Sequence, residues 1–171
     1  MKYFTPARYV AFNASDDGVA NNADEEWEQA LSDYRKHVRR IRGKLPTSVR
    51  HLGEKLCLHD AEYLGMTKIS IPGSPGDVAI LSVRAGHQPS LLVYVLAAEP
   101  FVSRPLEAVI FETTHPHWLY DEIDVGEDGI LTHEILLSDG RVLKLRFVAF
   151  DTLSPQVALT SESKVELSAT A

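Results

Sequence analysis

The stretch WLYDEIDVGEDGILTHEILLSDGRVLKLRFVAFD, Trp118 to Asp151, decides how this chain is read. Two clusters of turn residues divide it, Gly126-Glu127-Asp128-Gly129 and Ser138-Asp139-Gly140. Glycine takes positive φ without steric penalty and aspartate tolerates turn geometry, so each cluster marks a hairpin between antiparallel strands. A two-residue Asp139-Gly140 loop would set Glu134 beside Leu145 and Ile135 beside Lys144, leaving both faces mixed. A three-residue loop over Ser138, Asp139 and Gly140, with Gly140 in the left-handed bulge position, pairs Leu137 with Arg141 instead. Leu131, His133, Ile135 and Leu137 then share a face with Leu143, Leu145 and Phe147. The opposite face carries Thr132, Glu134, Lys144 and Arg146, with Glu134 across from Lys144. A one-residue slip inverts every side chain, so this segregation selects the bulged loop. A five-residue loop from Val125 to Gly129 adds Leu119, Asp121 and Ile123 to the apolar face, and Tyr120, Glu122 and Asp124 to the polar one. It predicts Asp121 directly opposite His133.

Upstream, four more runs read as strands: Ala61–Ile71, Val78–Arg84, Leu91–Ala98 and Leu106–Glu112. The Pro/Gly loops between them, at 72–76, 86–89, 99–105 and 114–117, suit antiparallel neighbours and are too short for parallel crossovers. The first third is helical. Thr5-Pro6 caps a short helix to Phe12, and residues 13–23 read as a loop. A helix over Asp24–Arg42 presents Trp27, Ala30, Leu31, Tyr34, Val38 and Ile41 as one stripe, starts with an Asn22/Glu25 capping box and stops at Gly43. Leu45-Pro46 is a break, and Val49–Lys55 a further short helix capped by Thr47 or Ser48. The fold class is α+β: N-terminal helices packed on a strongly twisted antiparallel β-meander of about seven strands, with room for partial barrel closure. Residues 1–151 form one domain, helical over 1–55 and sheet over 56–151. Residues 152–171 read as a mobile tail or weak edge strand.

The composition excludes several classes. One cysteine, Cys57, builds neither a disulfide framework nor a cysteine-based zinc site, and points to a reducing, cytoplasmic setting. Flanked by Leu56 and Leu58, it reads as a small buried hydrophobe. No run reaches the length of a membrane span, and the first residues have no secretory signal. A net charge of −7 disfavours general nucleic-acid binding.

Two constellations carry possible chemistry. Asp121 and His133 could orient a general base or back a metal ligand, joined by His59-Asp60 at the head of the first strand; His115 and His117 lie nearby. Equally, the pair can satisfy its own polarity inside a core while Asp60 forms a turn, and no HExxH-like spacing supports a metal. The run from Arg35 to Lys44 places Arg35, Lys36, Arg39, Arg40 and Arg42 on the long helix. The rest of the chain then holds 11 basic against 24 acidic residues. This helix could dock an acidic protein or RNA, or could simply complement its own C-terminal dipole.

Met1-Lys2-Tyr3-Phe4-Thr5-Pro6, Glu26-Trp27 with Tyr34, Leu45-Pro46 and Leu58-His59-Asp60-Ala61 together resemble a bacterial family of uncharacterised cytoplasmic proteins. So do Tyr120-Asp121-Glu122-Ile123, His133-Glu134-Ile135-Leu136 and Asp139-Gly140. The resemblance covers most of residues 1–150 and implies a small stand-alone cytoplasmic protein, with no activity, cofactor or catalytic residue to carry over. The expectation is a non-enzymatic interaction module, immunity-like or accessory, without a cofactor, with a protein partner and room for homo-oligomers. The alternatives are a hydrolytic or metal-dependent enzyme using His59, Asp60, Asp121 and His133, and RNA binding through residues 35–44.

Overall fold

The computed structural model describes residues 1–55, 57–73, 76–107 and 114–153. Helices α1 (Pro6–Phe12), α2 (Asp17–Ile41) and α3 (Thr47–Lys55) precede strands β1 (Glu62–Ile69), β2 (Val78–Ala85), β3 (Gln88–Leu96), β4 (Phe101–Val102), β5 (Trp118–Val125), β6 (Leu131–Leu137) and β7 (Val142–Leu153). They form a seven-stranded antiparallel sheet in the order β1-β2-β3-β7-β6-β5, with β4 also paired to β7. The α+β architecture is therefore as the sequence pattern predicts. Among the described residues no helix is long and apolar enough to cross a membrane.

The sheet curls until its two ends meet. Glu62 bridges His117, Tyr63 N–H donates to Pro116 carbonyl, and Trp118 N–H donates to Ala61 carbonyl, each bond 2.8 Å. The segment 114–117, expected to be loop, thus supplies the closing rung. Curling lets one face of an antiparallel sheet bury itself, as the right-handed twist of strands favours. Inside lie Leu81, Leu92, Tyr94, Trp118, Ile135, Leu143, Leu145 and Phe147, all essentially inaccessible. Ile41 at the end of α2, Leu45 in the connection, and Val49 and Leu52 of α3 join the same core.

The β6–β7 hairpin has the bulged three-residue turn. Gly140 adopts φ 77°, Leu137 N–H donates to Arg141 carbonyl at 2.9 Å, and Glu134 pairs with Lys144. An added Cβ at Gly140 would meet Leu106 Cδ1 at 2.6 Å, so both backbone conformation and space require glycine here. The β5–β6 loop is displaced by one residue at each side: Val125 pairs with Leu131, so Asp121 faces Ile135, and Ile123 faces His133. Parity survives a two-residue shift, so Asp121 and His133 still share the inner face. A bulge between Trp118 and Tyr120 breaks parity above it. Trp118 consequently points inward, and Leu119, expected on the apolar face, joins the outer cluster around Phe4 and Trp27.

Other boundaries also differ. Helix α2 starts at Asp17, because Asp16 is the N-cap and accepts from Val19 N–H at 2.9 Å. The Asn22/Glu25 box is helix interior, since docking against α1 carries the low-propensity residues 18–23 into the helix. Of the expected strand 106–112, Leu106 and Glu107 are not in strand, and the remainder lies outside the described residues. The seventh strand is β4, inside the segment read as a loop; it continues the line of β3 along β7, pairing Phe101 with Lys144. Thr152 and Leu153, placed in the tail, complete β7; residues 154–171 of the expected tail lie outside the described residues. Cys57 is exposed, not buried: it follows α3, and neighbouring Leu58 takes the core position instead.

Candidate functional site

The polar outer face of β5–β6 is not a solvent face. The N-terminal segment and α2 lie on it, held by the very carboxylates that made it look polar. Glu122, buried, accepts the backbone N–H groups of Lys2, Tyr3 and Phe4, each at 2.7 Å. Glu134 Oε1 lies 2.9 Å from the Met1 ammonium and 3.2 Å from Lys144 Nζ. Phe4 is thereby pressed into a ring cluster, 4.9 Å from Tyr120 and 5.6 Å from Trp27 between centroids. Phe4 also meets Tyr34 edge-to-face at 5.3 Å, and stacked or edge-to-face ring pairs add on the order of 1 kcal/mol each beyond their buried area.

Helix α2 crosses this cluster at Trp27 and Ala30, runs beside β5 through Leu31, Tyr34 and Val38, and reaches the main core at Ile41. The apolar stripe expected to be continuous therefore divides. Trp27 and Ala30 are buried, whereas Leu31, Tyr34 and Val38 are half-buried along a cleft. The cleft has a volume of about 580 Å³ and is walled by α2, the start of α3, His59 and β5. That is within the size range of small-ligand sites. Its surface is mainly apolar, with Phe4, Leu45, Val49, Leu119, Tyr120 and Ile123 added to the α2 residues.

Its polar groups are few and uneven. Arg35, Arg42 and Arg50 line it, against one carboxylate, Asp121. Arg50 Nη2 donates to Thr47 Oγ1 at 2.9 Å, but its Nε is buried with no hydrogen-bond partner among the described residues. A buried donor left unpaired costs about 1–3 kcal/mol. Tyr34 Oη accepts Ile123 N–H at 2.8 Å. Burial pushes the Tyr34 phenol far up, reinforced by Asp121 and only partly opposed by the Ile123 bond, so it stays protonated in the physiological range.

Asp121 connects the cleft to a buried polar chain inside the barrel. Its Oδ2 is 3.1 Å from His133 Nε2, its Oδ1 accepts from Trp118 Nε1 at 3.2 Å, and Tyr94 Oη is 2.9 Å from His133 Nδ1. Tyr94 is held protonated, since burial and then the Asp121 charge push its phenol well up. The hydroxyl shares one hydrogen bond with Nδ1, and Asp121 takes the other ring nitrogen. Every polar atom of His133 is satisfied. The His133 side chain has 0 % exposure, whereas Asp121 keeps 34 %.

The four residues of the hydrolytic alternative do not converge on one open site. His59 and Asp121 line the cleft, and His133 is sealed behind Asp121. Asp60 is exposed in a left-handed turn at φ 63°. His59 Nδ1 lies 2.6 Å from Leu119 carbonyl and its ring 5.3 Å from Tyr120, so it forms part of the cleft wall. Among the described residues no three His, Cys, Asp or Glu side chains are grouped to hold a metal ion. The basic run divides by helical phase. Arg35 and Arg42, seven residues apart, line the cleft; Lys36, which pairs with Asp33 at 2.9 Å, Arg39 and Arg40 do not.

Sequence reasoning missed Arg50. The available signal was its place on a short helix between Val49 and Leu52, which face the core, so that it borders the apolar stripe. No protein-family model matches the chain, and no curated protein matches it.

Proposed function

We propose that this protein is a non-enzymatic binding module whose cleft, between α2, α3 and β5, receives a small ligand. It would act as an accessory or immunity-like factor in the reducing cytoplasm, a setting that suits its one exposed thiol. The observation that carries the reading is the cleft itself: an apolar cavity of about 580 Å³ left between a helix stripe and the sheet that would otherwise cover it. The hydrolytic alternative is less well served. Its expected base, His133, has both ring nitrogens engaged and no exposure. Val38→Trp, on the cleft wall, tests the binding reading by filling the space. N-phenyl-1-naphthylamine, an uncharged environment-sensitive fluorophore, is expected to bind the wild type saturably at one site and to lose most of that binding in the filled variant. Absence of saturable binding, or binding indifferent to Val38→Trp, would overturn the proposal.

A further inference from the structure

We infer that residues 2–4 form a strap that Glu122 holds closed against this cleft, so that docking of the strap and occupancy of the cleft are coupled, with Glu122 as the positioning residue. The inference rests on the cleft-binding reading above and adds the element that controls the site. The first argument is what the strap contributes. Phe4 lines the cleft although it belongs to no helix or strand. Its ring stacks on Tyr120 at 4.9 Å and meets Tyr34 edge-to-face at 5.3 Å, and both of those rings line the cleft as well. Undocking the strap takes one ring out of the wall and leaves two others without their neighbour.

The second argument is the place of Tyr34. Its side chain is common to the cleft and to a smaller cavity of about 90 Å³ lined by Lys2, Tyr3 and Glu122. Tyr3 meets the Tyr34 ring from the strap, at 5.4 Å between centroids, while the Tyr34 hydroxyl accepts Ile123 N–H from β5. The seat of this cleft residue therefore depends on the strap as well as on the sheet. The third argument is how the strap is held. Lys2 is exposed, Tyr3 half-buried and Phe4 buried, so its apolar burial is concentrated in the one residue that reaches the cleft. One carboxylate, Glu122, accepts all three backbone N–H groups, and Arg8 Nη1 donates to the Tyr3 carbonyl at 2.7 Å. A short segment with few buried side chains opens more readily than the barrel behind it. If closure of such a segment favours a ligand by some factor, the ligand favours closure by the same factor.

N-Phenyl-1-naphthylamine tests both directions of this coupling. Its affinity is expected to fall about fivefold to tenfold in Glu122→Ala, the loss of one wall ring and of the closed population, and by no more than about threefold in Glu122→Gln, which keeps an acceptor for Tyr3 and Phe4. Because Glu122→Ala also costs stability, the reciprocal measurement is made on the wild type, with no variant needed. Saturating probe is expected to slow exchange of the Phe4 amide about fivefold to tenfold, while the amides at the tip of the β2–β3 hairpin, Ala85 and Gln88, keep their rates. Saturable binding that is unchanged or tighter in Glu122→Ala, or Phe4 exchange indifferent to the probe, would overturn the coupling and leave the cleft-binding reading standing. Failure of the probe to bind the wild type would overturn the two together.

Discussion

Glu122 ties the first residues of the chain to the barrel, and its removal has a calculable cost. Its carboxylate accepts three backbone N–H groups at 2.7 Å, from Lys2, Tyr3 and Phe4. In Glu122→Ala the amides of Lys2 and Tyr3 regain water, since the chain is partly exposed there, and lose only the net advantage of a charge-assisted bond. The Phe4 amide stays dry, because Phe4 is 2 % exposed, and pays the full desolvation penalty of an unpaired donor. The sum is about 2–4 kcal/mol. For a domain of this length that lowers Tm by about 5–15 °C. Glu122→Gln separates charge from shape. Its amide oxygen can still accept from Tyr3 and Phe4, while its NH2 group meets the Lys2 N–H donor to donor, so the cost falls to about 1–2 kcal/mol. Urea melts of the three proteins measure both differences, and amide exchange at Phe4 reports the strap directly. A Glu122→Ala variant within about 0.5 kcal/mol of wild type, or a Gln variant as damaged as the Ala variant, would refute this account.

The buried chain inside the barrel predicts strong non-additivity. His133→Leu strands the Tyr94 hydroxyl in an apolar interior and should cost about 2–3 kcal/mol. Adding Tyr94→Phe to that background should be neutral or stabilising, although Tyr94→Phe alone costs about 1–2 kcal/mol. A double-mutant cycle by urea denaturation checks this, and simple additivity would show that the two groups are not coupled. Glu134 predicts the acid limb of stability. Burial pushes its carboxyl up, but the Met1 ammonium and Lys144 outweigh burial and hold it below the ordinary glutamate range. A folded-state value below the unfolded one contributes stability that is present above about pH 5 and is lost as pH falls through the folded value. Wild-type stability should therefore drop more steeply than that of Glu134→Gln between about pH 5 and pH 3. Parallel curves in pH-dependent melts would contradict the assignment.

Much of this architecture is written in local pattern. The Ser138-Asp139-Gly140 turn, the pairing of Glu134 with Lys144 and the inward alternation of Leu131, His133, Ile135 and Leu137 follow from period-two segregation and the need for positive φ at Gly140. Helix α1, most of α2 and the region of α3 follow from capping and three- and four-residue spacing. So does the placement of Asp121 and His133 on one face, because an error of two residues in the β5–β6 register leaves parity unchanged. What pattern alone could not decide are contacts between segments remote in sequence. The bulge at Trp118 exchanges the facing of Trp118 and Leu119, and it arises where β5 turns to meet β1, far earlier in the chain. Glu122 and Glu134 read as solvent-facing because their partners, the backbone at residues 2–4 and the Met1 ammonium, have no side-chain signature. The cleft is of the same kind. Residues 31 to 38 present an ordinary apolar stripe, and only the packing of α2 over β5 determines that Trp27 is buried while Tyr34 and Val38 line a cleft beside Arg50. Chain sequence determined which residues are apolar, which turns are tight and which faces are consistent. Tertiary packing decided which of those faces meet, because that choice rests on long-range burial and on hydrogen bonds to backbone whose partners lie as much as 129 positions apart.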